Sequence, residues 1–233
     1  MSFVDVAGLG LGEVGAEQHR RLGWRGGFPV PYLAKTDEQA RQRQDDMERT
    51  VIERDLAQWG VTDKTARQYL DALAATFLVR PLPPWFKNRG KRHVKAPKVY
   101  IRDSGMLHGL LHLPSPQRLD EHPKLGASWE GFALEQVLQI TGDRDAYFWA
   151  THGGAERDLM VFWQGRRVGF EFKFGDAPGI TISMRVAMAD LKLDRLLVVV
   201  PGKESYHLGP KMEVGSILHL VERLGRMAQE LKE

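Results

Sequence analysis

Apolar residues recur along this 233-residue chain with two different periods, and the periods change at recognisable points. From Ser128 to about Ile140 the run S-W-E-G-F-A-L-E-Q-V-L-Q-I reads as a mostly apolar helix. Stretches at about 146–151, 157–163 and 167–174 read as strands, the last two joined by the polar turn Q-G-R-R with its glycine. A helix is predicted over about 181–191. Leu196–Val200 is purely apolar, as a strand covered on both faces should be. A last amphipathic helix is predicted over about 215–231, with Ile217, Leu220, Val221, Leu224, Ala228 and Leu231 on one face. The order α-β-β-β-α-β-α predicts an α/β domain over residues 126–233.

The upstream sequence is organised differently. Residues 1–60 read as a glycine-rich lead followed by helix, with Thr36-Asp37-Glu38-Gln39 as a capping box. The helix it opens is predicted to run through Arg41, Arg43, Met47 and Ile52 towards Trp59. Residues 61–125 begin with a helix capped by Thr62, whose apolar stripe is Ala66, Tyr69, Leu70 and Leu73. F-L-V-R-P-L then reads as a strand stopped by Pro83-Pro84, and K-V-Y-I-R-D as a second strand. Between them lie Lys87, Arg89, Lys91, Arg92, Lys95 and Lys98 without a single acid. A short helix followed by a basic hairpin is how a winged helix-turn-helix is built, the helix in the major groove and the wing on phosphates.

Composition sets outer limits. Hydrophobic residues make up 42% and charged residues 27%, ordinary for a soluble globular protein. No apolar run approaches the ~18 residues of a membrane span, and Met-Ser-Phe-Val-Asp does not read as a signal peptide. The absence of cysteine excludes disulfides and thiolate metal sites and suits a cytoplasmic protein. A net charge of +3 says little about nucleic acid, so that question rests on local clusters.

One constellation carries chemistry. Asp158 stands near the start of one strand, while Glu171 and Lys173 stand two apart on the next, on one face. Charges inside an apolar strand are costly unless something uses them. A magnesium or manganese ion held by Asp158 and Glu171 supplies that use, with Lys173 beside the attacking water or the phosphate. Glu130, early on the preceding helix, is either a third carboxylate or a first-turn acid favoured by the helix dipole. Glu135 lies about 140° further round that helix and cannot share a site with Glu130. Acid, hairpin, then acid-x-lysine is the pattern of PD-(D/E)xK nucleases, and the element order is that of their restriction-endonuclease-like αβββαβ core.

The chain also resembles, in order and over nearly its whole length, the C-terminal part of bacterial and archaeal AAA-type ATPases that end in a domain of unknown function. The matching segments are W-R-G-G-F-P at Trp24–Pro29, I-E-R-D-L at Ile52–Leu56, L-P-P-W at Leu82–Trp85 and K-A-P-K-V-Y-I-R-D-S-G-M-L-H at Lys95–His108. They continue with G-A-S-W-E-G-F at Gly126–Phe132, Y-F-W-A-T-H-G-G-A-E at Tyr147–Glu156 and F-E-F-K at Phe170–Lys173. The resemblance implies a winged-helix-like segment and a nuclease-like terminal domain with Glu130, Asp158, Glu171 and Lys173 as its acid-acid-acid-lysine set; it implies no settled activity. Three departures stand out. No G-x-x-x-x-G-K-[ST] is present, so no nucleotide cofactor and no ATPase activity are expected. Helical turns that relatives carry near Trp59–Val61 are missing, which truncates the helix-turn-helix. Arg157 stands where relatives place an apolar residue; strand alternation predicts that it points away from Asp158, onto a face that ought to be buried.

Other motifs are weaker. Gly10-Leu11-Gly12-Glu13-Val14-Gly15 matches G-x-G-x-x-G, but no acid lies between Glu17 and Asp37 to hold a ribose, so it reads as a glycine-rich lead. His108 and His112 have zinc-binding spacing, but Pro114 ends their helix at once, and an interfacial or exposed pair is expected. Two functions remain open. One is a metal-dependent phosphodiesterase that grips DNA through Lys64, Arg67 and the basic run from Lys87 to Lys98. The other is a non-catalytic module that docks DNA or a protein, such as a separate ATPase.

Overall fold

The computed structural model describes residues 16–26, 33–40, 63–85, 97–151, 154–175 and 178–231. The described residues fall into two compact units, one drawn from residues 16–81 and 99–132, the other from 82–98 and 133–231. The G-x-G-x-x-G segment and the predicted helix through Arg41 and Trp59 lie outside the described residues. Among the described residues no helix is long and apolar enough to cross a membrane.

The first unit holds α1 (Ala16–Arg25), α2 (Asp63–Ala75), α3 (Ser104–Leu110) and α4 (Pro116–Asp120). β1 (Val79–Leu82) and β2 (Lys98–Ile101) form a two-stranded sheet. Thr36 caps as its sequence predicts, its hydroxyl oxygen accepting the Gln39 N–H at 3.2 Å. Asp103 caps α3 by accepting the Met106 N–H at 2.7 Å. Gly26 approaches that carboxylate with φ +74°, and a Cβ there would fall inside it, so the W-R-G-G segment needs its first glycine for space as well as conformation.

His108 corrects the expectation of an exposed or interfacial histidine pair. It is buried and stacked on Trp24, with ring centroids 5.1 Å apart. Its Nδ1 donates to the Trp24 carbonyl at 3.1 Å, and its Nε2 lies 2.7 Å from the Ser128 hydroxyl. α3 ends at Leu110, and His112 adopts a left-handed φ of 52°, so the two imidazoles do not share a helix face.

The mixed α/β second unit is built on a six-stranded sheet. Its elements are β3 (Ala146–Ala150), β4 (Glu156–Trp163), β5 (Arg166–Phe172), α6 (Ile182–Asp190), β6 (Arg195–Val200), β7 (Tyr206–Gly209), β8 (Met212–Ser216) and α7 (Leu220–Glu230). The helix α5 (Leu125–Thr141) enters this unit at Ala133. The strand order is β3-β4-β5-β6-β8-β7. β3, β4 and β5 are antiparallel, β5, β6 and β8 parallel, and β7 returns antiparallel on β8. Gln164 and Gly165 both have positive φ, 52° and 73°, which makes the predicted β4–β5 turn a tight hairpin matched to strand twist. Met184, Ala187 and Leu191 from α6 and its end pack on Met160, Leu196, Val198, Val200 and Val214 of the sheet. Leu197 and Val199 point the other way and are equally buried, as the all-apolar run predicts.

The predicted helix over 215–231 is corrected at its start. Residues up to Ser216 are the strand β8, and a single 3₁₀ turn, Ile217–His219, precedes α7. The hairpin β7–β8 was hidden because its strands are short and carry buried polarity. Glu213 is buried on β8, where Arg223 of α7 grips it, Nε to Oε1 at 2.7 Å and Nη2 to Oε2. Burial lowers the tendency of Arg223 to hold its proton, but Glu213 and then Glu230 outweigh this and raise it above the ordinary value.

Candidate functional site

The charged residues of the second unit meet where β4 and β5 run side by side. Pairing of β3 with β4 passes from Tyr147↔Met160 to Trp149↔Arg157, two residues on β3 against three on β4. The extra residue is a β-bulge, and it turns Arg157 onto the face of Trp149 and Met160. Strand alternation therefore fails here: Arg157 lies with the carboxylates instead of opposite them. Gly169 on β5 lies beside it, and a Cβ there would meet the Arg157 Cδ at an ordinary contact distance of 3.7 Å.

Arg157 is fully buried, and its Nη1 donates to Oε2 of Glu171. The other oxygen of Glu171, Oε1, takes the Lys173 ammonium at 2.8 Å. Asp158 accepts the Phe172 N–H on Oδ2 at 2.9 Å, and its Oδ1 lies 3.9 Å from Lys98 Nζ. Lys98 also pairs with Glu156, at the start of β4. Three cations of the chain thus face three of its carboxylates within one cluster.

The electrostatics follow from these positions. Burial pulls the Arg157 guanidinium below its ordinary pKa, opposed by Glu171, then Asp158 and Glu156. Burial also lowers Lys173, but its hydrogen bond to Glu171, with the charges of Glu171 and Asp158, outweighs this and leaves the ammonium above its ordinary 10.5. Nε and Nη2 of Arg157 are buried without a hydrogen-bond partner.

Of the residues singled out in the sequence, Asp158, Glu171 and Lys173 come together here. Lys98, chosen as a DNA contact, is engaged with Glu156 and Asp158. Glu130 belongs to the first unit, where it accepts the Tyr100 hydroxyl at 2.6 Å. Arg67 is exposed on α2. Lys87, Arg89, Lys91, Arg92 and Lys95 lie outside the described residues, as does the side chain of Lys64. Sequence reasoning missed Glu156, whose signal was its place in the consecutive charges Glu156-Arg157-Asp158.

The donor set does not suit a divalent metal. Magnesium or manganese needs carboxylate oxygens free to point at one centre, about six oxygen ligands in all. Here both oxygens of Glu171 already receive cations, and one of Asp158 receives a backbone N–H. Among the described residues no group of three or more His, Cys, Asp or Glu is placed to hold an ion.

A second feature of this unit is a groove of about 650 Å³ lined by Arg185, Met188, Lys192, Leu193, Lys211 and Met212 among others. Arg185, Lys192 and Lys211 are exposed and form no ion pair among the described residues.

Residues 56–117 match the family described as Domain of unknown function (DUF8612), and residues 125–220 the one described as Domain of unknown function (DUF4143). The chain is similar to Uncharacterized protein Rv2008c of Mycobacterium tuberculosis and Uncharacterized protein Mb2031c of Mycobacterium bovis. Each is 39% identical over 241 aligned positions, covering 89% of this chain and 55% of the relative. The chain therefore spans about half the length of the curated relatives it matches. No solved structure matches it.

Proposed function

We propose that this chain is a non-catalytic binding module on a nuclease-like frame, which docks DNA and regulates instead of cleaving. The observation that carries this reading is the closed charge cluster: Glu171 is held on both oxygens by Arg157 and Lys173, with Asp158 beside Lys98. A carboxylate neutralised by the chain's own cations has little left to offer a metal, and a lysine bound to that carboxylate is not poised beside a water. The element order and the acid-x-lysine strand support a restriction-endonuclease-like ancestry. The helix α2 followed by the β1–β2 sheet supports a shortened winged-helix segment, and the resemblance to AAA-type ATPase C-terminal regions supports coupling to a separate ATPase. Binding would draw on the run Lys87–Lys95, on Arg67, and on Arg185, Lys192 and Lys211 around the groove.

Supercoiled plasmid incubated with the protein and magnesium or manganese should remain uncut. Duplex DNA should be retarded, with affinity falling as salt rises; each phosphate contact adds about −0.9 to the log–log slope. Replacing Arg185, Lys192 and Lys211 by glutamate should flatten that slope. Metal-dependent cleavage abolished by Asp158→Ala would replace this reading with a phosphodiesterase. Neither cleavage nor DNA retention would leave a protein partner as the reading.

A further inference from the structure

We infer that the Arg157 guanidinium is a resident cation standing in for a divalent ion, so that removing this one side chain opens a metal site between Asp158 and Glu171. This deepens the non-catalytic reading and rests on it. Three observations carry it. A bulge in β4, not regular alternation, delivers Arg157 to the carboxylates. The side chain is fully buried, yet Nε and Nη2 have no hydrogen-bond partner, so the guanidinium is not there to satisfy its own donors. Its one hydrogen bond in the described residues goes to Glu171, with Asp158 adding attraction.

The two carboxylates explain why a cation must be present. Asp158 and Glu171 are both buried on neighbouring strands, and two buried anions repel unless something positive lies among them. A guanidinium is always charged and never dissociates, whereas a bound ion exchanges with solvent. The cluster therefore keeps its charge balance at any metal concentration. Lys98 and Lys173 also contribute, but both are partly exposed and can swing outward. Arg157 cannot.

The test is manganese titration by calorimetry on the wild type, on Arg157→Val, and on Arg157→Val combined with Glu171→Gln. Valine suits a strand, and Arg157→Gln, which keeps much of the volume, carries the test if the valine variant does not fold. The wild type should take up no manganese at the cluster. The single variant should bind at least on the order of a hundredfold more tightly, since a like charge beside the ion's position is removed. The added Glu171→Gln should abolish that binding. Folded single variants that take up no manganese, or uptake that survives Glu171→Gln, would overturn the inference and leave the non-catalytic reading intact. Wild-type binding as tight as the variant's, without cleavage, would likewise overturn only the inference. Cleavage of plasmid by the wild type would instead sink the reading on which it rests.

Discussion

Arg157 and Glu171 form an ion pair across β4 and β5 with the arginine wholly buried and the glutamate side chain 9% exposed. Neither charge is solvated by water in any quantity, so each depends on the other. Breaking such a pair from one side strands a buried charge, whereas replacing both members does not. Arg157→Ala should therefore destabilise the protein by about 3 kcal/mol in urea unfolding, even though Lys173 still holds one oxygen of Glu171. The double variant Arg157→Met, Glu171→Met should regain most of that loss. A double variant no more stable than Arg157→Ala would mean the pair is not the source of the cost.

Gly169, on β5 beside the cluster, is required by the packing of two leucines. A Cβ would come within 2.6 Å of Leu193 Cδ1 and 3.2 Å of Leu196 Cδ1. Both leucines are buried in the core beneath α6, so neither has free space to retreat into. Gly169→Ala should cost about 1–3 kcal/mol, read as a lower urea midpoint with an unchanged slope. An unchanged midpoint would show that the leucines repack freely.

The clamp between Arg223 and Glu213 fixes α7 to β8 and predicts a split between two substitutions. Arg223→Ala leaves buried Glu213 with only His207 Nδ1 at 3.9 Å and should cost about 2 kcal/mol, less than a fully buried pair because Arg223 reaches solvent at its edge. Arg223→Lys keeps the charge but loses the two-pronged grip, and should recover only part of the loss. Equal thermal midpoints for lysine and wild type would show that charge alone suffices.

Lys173 gives the cluster a pH signature. Its folded-state pKa is raised, so its stabilising contribution is complete below the ordinary value of 10.5 and is lost as pH rises through the folded value. The difference in thermal midpoint between wild type and Lys173→Met should hold steady from neutral pH towards 10 and shrink above it. A difference that grows with alkalinity would contradict the sign of the shift.

Much of this protein follows from short-range pattern. The period-two runs at β4 and β5, the Gln164-Gly165 turn between them and the all-apolar β6 could be read directly, because side-chain alternation and turn chemistry are local properties. Asp158, Glu171 and Lys173 were legible for the same reason: charges inside apolar strands announce themselves. The hairpin β7–β8 was not, since its pairing joins β8 to β6 and places Glu213 under Arg223, contacts made between distant parts of the chain. The role of Arg157 was not legible either. Alternation along β4 points it away from Asp158, and only pairing with β3 inserts the extra residue that reverses it. A strand's own sequence specifies which residues alternate; its neighbour in the sheet decides where the alternation slips, and with it whether two carboxylates face an open centre or a guanidinium.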